Sequence, residues 1–210
     1  MEISWLGHSC FRLKGKQATV ITDPYSPDLG YSLGKLTAQI VTVSHKHPGH
    51  SFVEGIGGKP KPVTGPGEYE ISNVLIIGIA ASHDKEGGKL RGKNTIYLIE
   101  IDDISICHLG DLGHALTDEQ VEELGKVDVL LVPVGGVSTI NATTAAEVVR
   151  QLEPSIIVPM HYKTQALNRE LEPVETFLKE MGAHDITPQA KLSLTKNNLP
   201  LVAQVVLLEC

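Results

Sequence analysis

Aromatic residues are scarce, 4% of 210 positions with a single Trp, so an aromatic platform for nucleic-acid bases is not expected. Positive charge is short as well. Asp and Glu outnumber Lys and Arg by 25 to 18, for a formal net charge of −7, which argues against a sequence-blind nucleic-acid binder. Cysteine is limited to Cys10, Cys107 and Cys210, with no CxxC pair. So sparse and odd a set excludes a disulfide framework and fits a reducing cytosol. No apolar stretch approaches the roughly 20 residues of a membrane span, so no membrane partner is expected. The segment MEISWLGHSC reads as a strand rather than a basic region followed by an apolar one, so no secretory leader is expected and the location read is cytoplasmic. Low-complexity tracts and short-period repeats are missing too.

What is present is a 41% hydrophobic chain, enough to bury a core and exclude disorder. One domain over residues 1–210 is the expectation. The first half is rich in short β-branched runs: Glu2–Leu6, Cys10–Leu13, Thr19–Thr22, Ile40–Val43, Val74–Ala80, Thr95–Ile101 and Ile104–His108. Between Gly55 and Gly67, Gly, Pro and Lys accumulate and predict loop, as does the polar stretch Asp84–Asn94. Helices follow. Thr117–Gln120 matches a capping box, with Gly125 as a stop. Thr144–Glu147 matches a second box, ahead of Ala145, Val148, Val149 and Leu152 on one helical face. Val174, Phe177, Leu178 and Met181 repeat that spacing behind Pro173. Val129–Val132 and Ile156–Pro159 lie between as buried strands, and Lys191–Leu194 and Val202–Glu209 close the chain. The pattern predicts a mixed α/β (α+β) fold of sheets between helix layers.

Nine histidines are the unusual entry. His45, His47 and His50 fall within six residues, directly after the apolar run Ile40–Val43. His45 and His47, two apart, project to one side of an extended segment, and the Pro48-Gly49 turn can fold His50 back beside them. Imidazoles converging at a strand end bind Zn, Fe or Mn. Three solvated loop histidines are the bland alternative, and the clustering weighs against it. His83, Asp111, His161 and Asp23 each follow an apolar run in the same way, and loops at one sheet edge form the ligand crevice of such folds. Singly, Asp23 could cap a turn and His161 could be a satisfied core histidine.

VSHKHPGH, IAASHD, CHLGD and VPMHYKT, in that order, resemble the motifs of the metallo-β-lactamase-fold hydrolases. WLGHSCFRL with TDPY, and VGGVSTINATTAAEVV before PMHYKT, are similar to a cytosolic branch that includes ascorbate-6-phosphate lactonase-like metal-dependent hydrolases. The resemblance runs from Trp5 to about Lys163. It implies a four-layer αββα sandwich with metal at the sheet edge. It implies that His45, His47 and His83 hold a first ion, that Asp111 bridges, and that His50 and His161 belong to a second. It places Asp23 behind a ligand imidazole, fixing its tautomer, with His8 beside the same turn, also behind the ligands or in the substrate pocket.

One position departs from the family motif HxHxDH: Gly49 stands where that motif has Asp. One firmly bound ion, zinc before manganese or iron, and a weak or absent second are therefore expected, and Glu68 is a remote replacement carboxylate. The implied activity is hydrolysis of a small ester, lactone or phosphodiester by metal-bound hydroxide. Asp111 is then ligand and proton acceptor, a water chain, His114 or His8 a base, with His114 ahead of His108 although either could simply pack, and Lys163 an anchor for an anionic substrate group or a solvated loop lysine. The competing reading, motivated by Gly49, is a metal-stabilised binding or regulatory protein that has lost hydrolysis. A nuclease and a di-iron oxidoreductase are disfavoured by the acidic balance and the incomplete carboxylates. The expected partner is a small molecule, with self-association into a homo-oligomer left open.

Overall fold

The computed structural model describes residues 1–210. The strands are β1 (Glu2–Gly7), β2 (Cys10–Lys14), β3 (Thr19–Thr22), β4 (Leu36–Thr37), β5 (Ile40–Val43), β6 (Ile56–Gly57), β7 (Lys61–Thr64), β8 (Gly67–Ile71), β9 (Val74–Ser82), β10 (Lys93–Ile101), β11 (Ile104–His108), β12 (Val129–Pro133), β13 (Ile156–Met160), β14 (Leu192–Ser193) and β15 (Gln204–Val205). The helices are α1 (Asp118–Leu124), α2 (Ala142–Leu152) and α3 (Val174–Glu180).

Two sheets form the body. One has the order β14-β1-β2-β3-β5-β7, the other β15-β13-β12-β11-β10-β9-β8, and β4 pairs with β6 separately. In the first sheet β3, β5 and β7 run parallel. In the second, β11, β12, β13 and β15 do. The alternation of β2, β3 and β5 explains the layering. Phe11, Leu13, Val20 and Ile40 face the large core shared with the second sheet. Cys10, Ile21, Val41 and Val43 face outward under Tyr25, Leu29 and Tyr31. That outer cover is built from irregular chain and 3₁₀ turns at Pro27–Leu29 and Val53–Gly55. The helices bury apolar faces into the large core, chiefly Ala145, Val148, Val149 and Leu152 of α2 and Val174 and Phe177 of α3. The predicted mixed α/β sandwich is the fold that forms. No helix is long and apolar enough to cross a membrane.

Three local expectations are corrected. Residues Gly55–Gly67 are not all loop, because Lys61–Thr64 pairs parallel with β5. The Lys61 N–H donates inward to Gln39 (2.8 Å), so the nitrogen of Pro62 faces the free edge, where a missing donor costs nothing. The last strand is two residues long rather than Val202–Glu209, and Leu201 and Val202 are exposed. Helix α2 starts earlier than its apolar pattern implies. Asn141 is the cap, accepting the Thr144 N–H at 3.0 Å, so Thr144 sits in the first turn rather than before it. The box at Thr117 and Gln120 forms as expected.

Asn141→Ala should lower stability by about 1 kcal/mol in urea unfolding, and Thr144→Ala by less. A larger cost for Thr144→Ala would contradict this assignment.

Candidate metal centre

The strand ends gather at one edge of the sandwich. Asp23 follows β3, residues 44–50 follow β5, His83 follows β9, Asp111 follows β11 and His161 follows β13. His8 occupies the β1–β2 turn. Parallel strands leave their C-terminal ends together, so the loops after them converge. Tyr97 of β10 ties the two sheets at this edge, donating to Val43 O (2.9 Å) and accepting the Gly65 N–H (2.9 Å).

Asp111 is the centre. Its Oδ2 lies 3.2 Å from His50 Nε2, 3.2 Å from His83 Nε2 and 3.9 Å from His45 Nε2, and its Oδ1 lies 3.4 Å from His161 Nε2. The loop that carries it depends on two neighbours. Asn94 accepts the Asp111 N–H (3.0 Å) and donates to Leu109 O (2.9 Å). Gly110 has φ +58, and a Cβ there would fall 2.4 Å from Asn94 Oδ1, so only glycine fits.

Asp23 lies behind two of the imidazoles, touching His50 directly and His45 through Ser44. It is fully buried and accepts from His50 Nδ1 at 2.9 Å. It also accepts the Ser44 N–H (2.7 Å) and the Ser44 hydroxyl (2.5 Å). Because that hydroxyl donates to Asp23, it accepts from His45 Nδ1 at 3.1 Å. Both imidazoles therefore carry a proton on Nδ1, and Nε2 is the atom each turns towards Asp111.

This packing shifts the protonation of the buried groups. Burial would depress His50, but Asp111 and Asp23 outweigh it and push its pKa up to about 10. Burial, then the charge of His50, pushes His45 down to about 4. Burial, then His161 and His50, holds His8 well below the ordinary imidazole value. For Asp111, burial opposes ionisation, yet His161 and His50 hold its carboxyl well below the usual range.

The cluster fits a divalent cation on its own geometry. His45 Nε2 and Asp111 Oδ1 are buried without a hydrogen-bond partner, a costly state unless something sits between them. One ligand atom from each of His45, His83 and Asp111 lies within 4.8 Å of the others, and the same holds for His45, His47 and His50 and for His8, His50 and His161. Imidazole and carboxylate are the donors that zinc, iron and manganese accept.

The structure separates the other expected residues. His47 groups with His45 and His50 rather than with His83 and Asp111, and its Nδ1 accepts the Gly49 N–H at 3.1 Å. His114 is not brought to the cluster. Its Nε2 accepts the Ser82 N–H (3.2 Å) and its Nδ1 donates to Ala115 O (2.7 Å), so both nitrogens are committed to backbone and it has no free atom to act as a base. His108 donates from Nε2 to Ser9 O (2.8 Å) and packs. Lys163 does not face the cavity either. Its Nζ donates to Leu167 O (3.0 Å) and Arg169 O (2.8 Å), bracing that loop. Glu68 stands exposed on β8, away from the centre. Arg169, which no sequence pattern marked, lines instead a cavity of about 240 Å³ that opens onto His83, Asp111 and His161. Val137 lines the same mouth, 66% exposed at φ +54, a backbone conformation rare for a β-branched residue.

Comparison with known proteins agrees with this architecture. The model of the β-lactamase superfamily domain matches residues 2–161. A UPF0173 protein of Pyrococcus furiosus is 32% identical over 205 residues, 86% of this chain and 90% of that protein. A UPF0173 metal-dependent hydrolase of Methanoculleus marisnigri is 29% identical over 198 residues, 82% of this chain and 86% of its own. The crystal structure of a Thermotoga maritima protein, described as a Zn-dependent hydrolase of the metallo-β-lactamase superfamily, is 39% identical with TM-score 0.82, covering 99% of this chain and 97% of that one. The chain belongs to the metallo-β-lactamase superfamily, among its metal-dependent hydrolases.

Proposed function

We propose that this enzyme hydrolyses a small ester, lactone or phosphodiester that carries an anionic group, with zinc at the Asp111 centre. The convergence of four imidazoles on one buried carboxylate carries the reading. His45 and His83 with Asp111, joined from the same cavity by the free Nε2 of His47, would hold a first ion, and His50 and His161 with Asp111 a second. A divalent cation there supplies a Lewis acid and lowers the pKa of water towards neutrality. Asp23 keeps the His45 and His50 lone pairs aimed at Asp111 through the contacts described. With His114 committed elsewhere, Asp111 and His8 are the expected proton acceptors that line the cavity. Arg169 takes the anchoring role first read for Lys163, and Lys163 positions its loop. A guanidinium at the mouth suits a carboxylate or phosphate on the substrate. A second groove of about 630 Å³ beside His45 adds Lys46, Arg91 and Lys93. Asp84 shapes its wall by accepting the N–H groups of Glu86, Gly88, Leu90 and Arg91 (2.7–3.0 Å). The free cysteines, with Cys10 and Cys107 buried, support a cytoplasmic setting.

A panel of anionic esters, lactones and phosphodiesters tests this. Chelation should abolish turnover and zinc should restore it, while Asp111→Ala should lose both metal and activity. Arg169→Ala should keep its zinc and kcat but raise KM for anionic substrates by about tenfold. Full turnover by the chelated protein or by Asp111→Ala would contradict the proposal.

Zinc uptake should also depend on pH, because the metal must displace the proton that His50 holds. A raised histidine pKa stabilises the metal-free fold fully below about pH 6.5, and that contribution is lost as pH rises through about 10. The gap in melting temperature between zinc-loaded and chelated protein should therefore widen from about pH 6 to about pH 9. A constant or narrowing gap would contradict it.

A further inference from the structure

His50 and His161 beside Asp111 make a set one donor short of the His45, His47, His83 and Asp111 set. The backbone at position 49 offers no side chain to fill the gap. A Cβ built on Gly49 would lie 3.2 Å from His47 Nδ1 and 3.4 Å from His8 Nε2. The volume into which a side chain at 49 would project is therefore bounded by the imidazoles of His47 and His8.

His8 is placed with unusual care. It is 1% exposed, and neither ring nitrogen has a hydrogen-bond partner. Its ring centroid is 4.1 Å from that of His161 and 5.0 Å from that of His50. One nitrogen from each of the three rings lies within 4.8 Å of the others. The backbone at His8 is held at φ +53, and that at His161 also at φ +53, a region that costs a non-glycine residue free energy. Two bonds maintain it. The His8 carbonyl accepts the His161 N–H (3.1 Å) and the Trp5 indole N–H (2.9 Å). A packing histidine would satisfy its nitrogens on nearby backbone, as His108 and His114 do in this same chain. A strained, buried imidazole with both nitrogens open instead needs an absent partner, and its neighbours are two more imidazoles.

We propose that His8 is a direct ligand which, with His50, His161 and Asp111, completes a second divalent-cation site in the volume that Gly49 leaves unfilled. This rests on the metal-centre reading above and replaces the expected weak or absent second ion with a three-imidazole, one-carboxylate site matching the first.

Zinc titration of the chelated full-length protein against a chromophoric chelator, with elemental analysis of the loaded protein, tests it. The wild type should take up two equivalents. His8→Ala should keep the first and bind the second more than about 100-fold more weakly, beyond the usual cost of losing an outer hydrogen bond to a ligand. Gly49→Asp added to His8→Ala should recover the second equivalent, because its carboxylate enters the vacated space. If His8→Ala does not fold, long-range ¹H–¹⁵N spectra of the zinc-titrated wild type give the answer. A His8 ring-nitrogen shift with the second equivalent supports the proposal, and an unmoved His8 overturns it. Wild type and His8→Ala binding the same number of ions with equal affinity would overturn this inference alone. A wild type that binds no zinc would overturn the metal centre as well.

Discussion

A buried carboxylate crowded by four imidazoles is the constraint that the rest of this molecule serves. Taken alone, Asp111 in a dry setting is expensive, and so is each histidine charged beside the others. The two costs offset each other only when positive charge sits among these groups, as protons on the rings or as a cation. In the metal-free state His50 takes this burden, and its pKa climbs to about 10 while that of its neighbour His45 drops to about 4. A divalent ion does the same work without protons. The chain's investment in holding these groups together is then an investment in binding metal.

The scaffold shows how that investment is distributed. Parallel strands in both sheets end at one rim, and Tyr97 and Asn94, both on β10, fasten the histidine loop and the Asp111 loop there. Left-handed backbone conformations recur at His8, Asp23 and His161, and each aims a side chain inward. Strain of this kind persists where the surrounding structure over-determines it. Asp23 illustrates the economy: one carboxylate fixes two ring tautomers and anchors the Ser44 backbone. Lys163 and Arg169 divide labour in a similar way, one bracing the loop and the other facing the cavity.

Much of this was legible in the residues. Apolar runs that stop at a histidine or aspartate mark strands that end at a polar rim, and β3, β5, β11 and the start of β9 were read correctly for that reason. The same pattern marks His45, His50, His83, His161, Asp111 and Asp23 as rim residues, and the family resemblance is what groups them as ligands with Asp23 behind. Partner choice was not legible. His114 sits closer in sequence to Asp111 than any member of the cluster does, yet the turn after β11 directs it onto the Ser82 and Ala115 backbone. Arg169 lies in a loop with no periodicity, so only the fold could reveal that it reaches the mouth. The edge strand Lys61–Thr64 was hidden by prolines that an edge tolerates. The cap of α2 was misread because Thr144 and Asn141 both carry capping side chains, and tertiary position decided between them.

Anomalous diffraction at the zinc edge, from crystals of the loaded protein, tests the central claim most directly. The account predicts a strong peak beside the Asp111 carboxylate, within coordination distance of His45 and His83. Refined density with these imidazoles in place and no peak at Asp111 would contradict it.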